Sequence, residues 1–293
     1  MRVTITYQRF TAVFAAVLLL LAWSCDRDLE DLEPATFPAN GEVFIDGFSD
    51  GLAYAAFGDS KVTAFEVDEN VMYDGTASMR FEVPDAGDPA GGYAGGSFVV
   101  PSGRDLSGFD ALTFWARATQ GATIDVIGFG NPTDQTRVTL SGVPVNSNWQ
   151  KYIIPIPDPS VLTQETGMLF YAEPPENEKG YTFWIDEVKF EKLGTLAHPK
   201  PSILNGEDRV VTAETGDSIF IGELAMAFNL PAGIDQTTSA ESAYFSFSSS
   251  DPSIATVNGF GKVTVLDTGE VVVTATVGGQ EAKGSLTIQS SGE

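Results

Sequence analysis

The chain has 293 residues, of which 40 are acidic and 16 basic, and its formal net charge is −24 at pH 7. Nucleic-acid phosphates bind to clustered lysine and arginine, so this charge balance predicts no nucleic-acid partner. The single cysteine excludes an intrachain disulfide, so the fold must rest on a buried core or a metal ion. The single histidine argues against a Ser-His-Asp triad and against a histidine-based zinc site.

The first residues have the pattern of a secretory signal peptide. Arg2 and Arg9 precede an apolar run over residues 12–23, in the order of a positive region followed by a short apolar region. A membrane-spanning helix needs roughly 20 apolar residues, and this run is too short. We therefore predict that residues 1–24 are removed, which leaves 14 basic and 40 acidic residues and a net charge of −26.

The end of this run contains the only cysteine. The sequence Leu21-Ala22-Trp23-Ser24-Cys25 resembles the lipobox of bacterial lipoproteins, although Ala22 and Trp23 depart from the family pattern. The resemblance implies a lipid on Cys25 and hence a membrane anchor. Residues 25–40, acidic at first and then proline-containing, are predicted to be a flexible tether. An acidic cluster directly after the cysteine also resembles the surface-export signal of Bacteroidetes lipoproteins, which implies an outer-membrane protein exposed at the cell surface.

Residues 41–195 are predicted to form an all-β jelly-roll sandwich. Met79, Phe81 and Val83 alternate with Arg80 and Glu82, as expected for a strand with one buried face. About ten such segments without a helical period indicate two packed sheets. Besides residues 79–83, the predicted strands are residues 43–45, 62–67, 97–100, 111–116, 123–129, 137–140, 150–154, 168–171 and 181–190.

Five short motifs in this segment look like those of jelly-roll carbohydrate-binding modules, in the same order. They are Phe44-Ile-Asp-Gly-Phe48, Tyr73-Asp-Gly-Thr-Ala-Ser-Met-Arg-Phe81, Asp105-Leu-Ser-Gly-Phe-Asp-Ala-Leu-Thr-Phe-Trp115, Asn148-Trp-Gln-Lys-Tyr152 and Phe183-Trp-Ile-Asp-Glu-Val188. The resemblance implies that the partner is a polysaccharide or oligosaccharide. Outer-membrane proteins of glycan uptake are then candidate partners.

The same resemblance implies a structural Ca²⁺ ion. Asp46 and Asp186 match the acidic positions of the family's first and last strands, and the turn at Asp74 could add carbonyl oxygens. Calcium takes six to eight oxygen ligands, which such a turn with two carboxylates could supply. The alternative is structural: Asp186 caps a strand end, and Asp74 with Gly75 makes a hairpin turn.

Sugar recognition in such folds uses aromatic rings, with polar side chains that bind the hydroxyls. Trp115 and Trp184 each follow a residue predicted to be buried, so they should point to the outer faces of their sheets. Candidates at a groove or its rim come from loops and strand ends: Tyr93, Phe129, Asn131 and Tyr171. Each of these six residues could instead be ordinary packing.

A second all-β domain is predicted for residues 202–290, after a short stiff linker around Pro199 and Pro201. Seven short strands in about 90 residues fit an immunoglobulin-like sandwich. Three segments, residues 248–257, 261–263 and 269–276, closely resemble bacterial immunoglobulin-like domains of group 2. Residues 222–243 form a longer insertion than that family usually has. Such domains act mainly as spacers or adhesive modules.

We predict a non-catalytic surface lipoprotein that binds polysaccharide, with no catalytic residues. One alternative is a cell-surface adhesin or assembly component that binds protein. A second is a glycan-cleaving enzyme, because glycosidases need only two carboxylates. Glu66, Asp68 and Glu69 superficially resemble the acid cluster of a jelly-roll glucanase, but Asn70 and Val71 stand where that pattern needs a further acid.

Overall fold

A computed structural model describes residues 36–131, 134–231 and 233–292. The predicted signal peptide and Cys25 lie outside these residues. Within the described part the secondary structure consists of strands and three short 3₁₀ turns, at Pro159–Val161, Leu204–Gly206 and Ser242–Tyr244. None of its helices is long and apolar enough to cross a membrane. The all-β prediction is confirmed.

The jelly roll contains the first eleven strands. They are β1 (Glu42–Phe44), β2 (Ala53–Ala56), β3 (Phe65–Asp68), β4 (Ser78–Val83), β5 (Ala94–Arg104), β6 (Ala111–Ala118), β7 (Ala122–Phe129), β8 (Val138–Val145), β9 (Gln150–Pro155), β10 (Glu165–Glu173) and β11 (Tyr181–Glu191). A six-stranded sheet has the order β3-β4-β11-β6-β9, with β1 paired to β11. The core between this sheet and its partner includes Phe81, Phe98, Phe114, Tyr171 and Phe183, all fully buried.

The remaining strands follow the jelly roll in the chain. They are β12 (Ala197–Ser202), β13 (Asp208–Glu214), β14 (Ser218–Phe220), β15 (Ala225–Asn229), β16 (Asp235–Ala240), β17 (Ser246–Ser249), β18 (Ala255–Val257), β19 (Lys262–Val265), β20 (Gly269–Val277), β21 (Gln280–Glu281) and β22 (Ser285–Ser291). The immunoglobulin-like part has a sheet of order β13-β22-β20-β17, with β21 paired to β20, and a second of order β14-β19-β18.

Three of these later strands join the jelly roll rather than the immunoglobulin-like sheets. The second jelly-roll sheet has eight strands in the order β12-β15-β16-β8-β7-β10-β5-β2. The connection is the pairing of β16 with β8, in which Ser239 lies opposite Thr139 and Ala240 opposite Val138. The predicted linker around Pro199 and Pro201 is therefore wrong, because that segment is the edge strand β12.

Side-chain contacts strengthen the junction between the two sandwiches. Arg137 forms an ion pair with Glu241, and the hydroxyl of the buried Tyr244 donates to the carbonyl oxygen of Thr136 at 2.6 Å. One continuous hydrophobic core cluster contains residues of both sandwiches. Residues Phe37–Glu293 accordingly form one compact unit.

Candidate functional site: two outward faces of the jelly roll

The outward side of the six-stranded sheet carries a cluster of aromatic rings. Phe114 and Ala116 point into the core, so Trp115 and Arg117 between and after them point outward. Trp184 points outward from β11 by the same alternation. The register of β11 with β6 sets Trp184 opposite Arg117 and Asp186 opposite Trp115.

Two loop residues complete this cluster. The Tyr73 ring stacks on Trp115 at 3.8 Å between centroids and 11° between planes, and the Trp149 ring lies 6.0 Å from Tyr73. The guanidinium carbon of Arg117 lies 6.0 Å from the Trp149 ring and 5.7 Å from the Trp184 ring, close enough for cation–π attraction. We call these five residues the tryptophan face.

The tryptophan face contains both sequence-predicted tryptophans and three residues that were not predicted. Trp115 and Trp184 follow from strand alternation. Tyr73 and Trp149 stand in loops, where no periodicity gives the direction of a side chain. The signal that could have found them is their position shortly before strands β4 and β9, whose partner strands β11 and β6 carry Trp184 and Trp115.

The outward side of the eight-stranded sheet has a different character, and we call it the broad face. One row of directly paired residues crosses all eight strands. On most strands, the residues before and after the row position are buried in the core. From β2 to β12 the row reads Ala55, Ser97, Phe170, Gly128, Thr139, Ser239, Ala225 and Ser202. Apart from Phe170 these side chains are small. A Cβ on Gly128 would come within 2.7 Å of the Phe170 ring, so the ring lies directly on the glycine.

Two predicted ligand-binding residues lie at opposite rims of the broad face. Tyr93 precedes β5, its ring lies over Gly95, and its hydroxyl donates to the Gly58 carbonyl oxygen at 2.9 Å. Asn131 follows β7 near the start of β10, and its side-chain amide donates to the Thr166 hydroxyl at 2.5 Å. Both residues are partly exposed, so they stay candidates.

The prediction is wrong for Phe129 and Tyr171, because both are fully buried. Phe129 packs edge-on against Phe190 at 5.4 Å. Tyr171 packs against Phe81 at 4.5 Å, and its hydroxyl shares a hydrogen bond of 3.0 Å with that of Tyr54. These two rings belong to the core and cannot contact a ligand at the surface.

The three predicted calcium ligands meet around the turn at residues 73–77. Asp186, only 1% exposed, accepts the backbone N–H of Tyr73 at 2.7 Å, that of Asp74 at 3.3 Å and that of Glu187 at 2.8 Å. Asp46 accepts the N–H of Thr76 and of Ala77, while Asp74 accepts the N–H of its neighbour Gly75. Burial raises the pKa of Asp186, whereas the Thr76 amide lowers that of Asp46.

These contacts do not fit a calcium ion. The amide N–H groups point their positive ends at the carboxylate oxygens that a cation would need. Within the described ranges, no group of three or more carboxylate, imidazole or thiol side chains is arranged to hold a metal ion. The carboxylates instead stabilise the turn, and Asp186 thereby holds the Tyr73 backbone where its ring covers Trp115.

Two of the three acidic residues weighed as a catalytic cluster, Glu66 and Asp68, are already engaged. Glu66 pairs with Arg80 at 2.6 Å, and Asp68 accepts the indole N–H of Trp184 at 2.8 Å. Asp68 also accepts from the backbone and side chain of Asn70, and desolvation only partly offsets these bonds, so its pKa is lowered. A lowered pKa suits a permanently charged acceptor and not the proton donor that glycoside hydrolysis requires.

Comparisons with known proteins agree with this architecture. The sequence pattern of the family Carbohydrate binding domain 30 matches residues 42–192, and that of the bacterial Ig-like domain (group 2) matches residues 232–288. None of the curated proteins matches the chain.

Three solved structures are similar to the chain. The family 30 carbohydrate-binding module of a Clostridium thermocellum cellulosomal cellulase is 21% identical, with a TM-score of 0.34, over 54% of this chain and 95% of its own. The family 11 module from the same organism, in complex with a β-1,3-1,4-mixed-linked tetrasaccharide, is 15% identical, with a TM-score of 0.37, over 54% and 98%. A β-1,2-glucanase from Parabacteroides distasonis is 12% identical, with a TM-score of 0.35, over 86% and 39%.

The sequence match is the finding that assigns the family. Residues 42–192 are just over half of the 293-residue chain, and they coincide with the eleven strands of the jelly roll. The second match covers most of the immunoglobulin-like part. Both matched families are of non-catalytic types. The chain belongs to the family Carbohydrate binding domain 30.

Proposed function

We propose that the protein is a non-catalytic carbohydrate-binding protein that holds a polysaccharide chain across the broad face. Its family membership supports carbohydrate as the ligand class. The observation that carries the location is the row of paired residues across eight strands, in which every side chain except that of Phe170 is small.

The dimensions of the broad face suit an extended chain. Neighbouring strands lie about 4.8 Å apart, so eight strands span about 34 Å, the length of several sugar units. Small side chains that are exposed or half-buried, such as Ala55, Thr139 and Ser239, leave room for a ligand above the sheet. Tyr93 at one rim offers a ring for stacking, and Asn131 at the other offers an amide for hydroxyl groups.

A large side chain introduced into the row of the broad face tests whether the polysaccharide binds there. We expect Thr139→Arg to weaken polysaccharide binding at least tenfold, because the arginine side chain would project into the path of the ligand. Binding is measured as retardation in native gels cast with plant, algal and bacterial polysaccharides. Thr256→Arg, the same change at an exposed strand position of the immunoglobulin-like part, is the matched control and should bind normally.

Two results would contradict the proposal. Equal retardation of Thr139→Arg and the unmodified chain would exclude the broad face as the site. No retardation of the unmodified chain by any polysaccharide would favour the alternative of an adhesin that binds protein. The comparison requires that both variants melt at the same temperature as the parent chain, which shows that they are equally well folded.

We further propose that the protein is a lipoprotein of the outer membrane, exposed at the cell surface and acting beside glycan-uptake proteins. The sequence around Cys25 and the acidic residues that follow it support this location. We expect Cys25→Ser to move the protein from the membrane fraction to the soluble fraction, and radiolabelled palmitate to be incorporated only by the unmodified chain. Unchanged membrane partitioning of Cys25→Ser would refute the anchor.

A further inference from the structure

Arg117 is exceptional among the arginines of the described residues. The other four each bind an acceptor: Arg80 pairs with Glu66 and Glu82, Arg104 donates to backbone carbonyls, Arg137 pairs with Glu241, and Arg209 pairs with Glu207 and Glu223. Arg117 donates no hydrogen bond and forms no ion pair to any described residue, and its Nε is buried without an acceptor. The chain has 40 acidic and 16 basic residues, so carboxylates outnumber the cations that could pair with them.

The aromatic neighbours of Arg117 fix its position without satisfying its donors. The rings of Trp149 and Trp184 both lie about 6 Å from its guanidinium carbon, and such contacts hold a cation through the negative ring faces. A guanidinium presents five N–H donors in a planar fork that matches an oxyanion. Arg117 is therefore held in place with its Nη donors not bonded to any described residue, although its buried Nε is out of reach of a ligand.

Next to this cation the tryptophan face offers a ring for a sugar. Tyr73 is 41% exposed, and the Trp115 ring stacks on one side of the Tyr73 ring. Asp186 holds the Tyr73 backbone through an N–H bond of 2.7 Å. A rigid, supported ring can stack on a pyranose with little loss of conformational freedom.

We propose that the tryptophan face is a second carbohydrate site, on the sheet opposite the broad face, which binds an acidic sugar unit. Arg117 donates to the oxyanion, either the carboxylate of a uronic acid or a sulfate ester, and Tyr73 stacks on the ring that bears it. Charge-assisted, bidentate hydrogen bonds to an oxyanion are the strongest that a guanidinium makes.

The negative net charge of the chain is compatible with this site. Acidic side chains on the strands of this sheet have partners of their own. Asp68 accepts from the Trp184 indole, Glu66 and Glu82 pair with Arg80, and Asp186 accepts three backbone N–H groups. More distant carboxylates are screened at physiological ionic strength, where the Debye length is about 8 Å.

Tryptophan fluorescence reports on this site alone. Trp115, Trp149 and Trp184 are the only tryptophans from Asp26 to the end of the chain, and all three belong to the tryptophan face. The experiment titrates the chain from Asp26 to Glu293 with oligogalacturonate, with sulfated galactan oligosaccharides, and with a neutral β-glucan oligosaccharide of equal length. We expect saturable fluorescence changes with a charged probe, and at least tenfold weaker binding of the neutral one. The charged probe that binds more tightly identifies the oxyanion.

Substitutions distinguish the hydrogen bonds of the Arg117 guanidinium from a general effect of positive charge on binding. Arg117→Gln is expected to weaken binding of the charged probe at least tenfold, and Arg117→Lys, which keeps the charge but loses the fork, should bind with intermediate affinity. Arg80→Gln is the matched control, because Arg80 lies on the same face but is already paired, and it should bind like the parent.

Three outcomes would overturn the proposal: no fluorescence change with either charged probe, equal affinity for the neutral probe, or equal losses in Arg117→Gln and Arg80→Gln. The site stands independently of the broad face. Thr139→Arg should keep the full fluorescence response, so a failure of the broad-face proposal leaves this test unaffected. Loss of the response in Thr139→Arg would refute a second site.

Discussion

The free energy of unfolding is expected to fall by about 3 kcal/mol between pH 4.5 and pH 7 on account of Glu173 alone. Glu173 is 1% exposed, and burial raises its pKa from the ordinary 4.5 to about 7. The charges of Asp125 and Glu176 raise the pKa further, although the Asp125 amide and the Tyr181 hydroxyl, which donate to its two oxygens, lower it.

The direction follows from proton binding. Between pH 4.5 and 7 the carboxyl group holds its proton in the folded chain and has lost it in the unfolded chain. The folded state thus binds more protons, and stability falls by up to about 1.4 kcal/mol per pH unit through that window. The contribution is fully present below pH 4.5 and is lost as the pH rises through 7.

Urea unfolding at pH 4.5, 5.5, 6.5 and 7.5 measures this dependence. The difference in unfolding free energy between the parent chain and Glu173→Gln should change by about 3 kcal/mol over the series, because glutamine does not titrate. Glu281→Gln, the same change at an exposed position, is the matched control. A constant difference for Glu173→Gln would mean that this carboxyl group titrates normally in the folded protein.

The second prediction concerns the junction between the two sandwiches. The unmodified chain is expected to unfold in one calorimetric transition, because one sheet and one core cluster join its parts. Ala240→Asp should destabilise the pairing of β16 with β8 by about 3 kcal/mol and split the transition in two. Ala240 is buried opposite Val138, and a carboxylate there would have no partner.

The adjacent residue supplies the control. Ser239 lies on the same strand but points outward and is exposed, so Ser239→Asp should keep a single transition at nearly the parent temperature. Two transitions in the unmodified chain would show that the shared sheet does not couple the sandwiches. A single unshifted transition in Ala240→Asp would show that residue 240 does not carry the coupling.

Most strands were predictable because their apolar residues alternate. Two of the strands that were missed lack this pattern. Asp235–Ala240 reads Asp-Gln-Thr-Thr-Ser-Ala and has no large apolar residue, so it resembled a loop insertion. Ala197–Ser202 contains Pro199 and Pro201, which predict a linker. Within sheets, proline is confined to edge strands, first residues of strands and bulges, and a single sequence does not reveal that a distant sheet offers such an edge.

The same limit explains the errors in the predicted site. Alternation gave the outward direction of Trp115 and Trp184 because both lie inside regular strands. Tyr171 was misplaced because β2, which carries its hydrogen-bonding partner Tyr54, was not predicted. Arg117 gave no signal by itself, since its lack of an acceptor is visible only when every neighbour is in position.

The prolines of β12 also have a consequence for contacts between molecules. Exposed sheet edges are templates for strands of other chains, which leads to fibrils and swapped dimers. Pro199 lies on the terminal strand of the eight-stranded sheet and lacks the N–H that an incoming strand would use. At the buried Pro201 the edge is already occupied, because its carbonyl oxygen accepts the backbone N–H of Lys283 at 2.9 Å. At high local protein concentration, this edge disfavours extension of the sheet into a neighbouring copy.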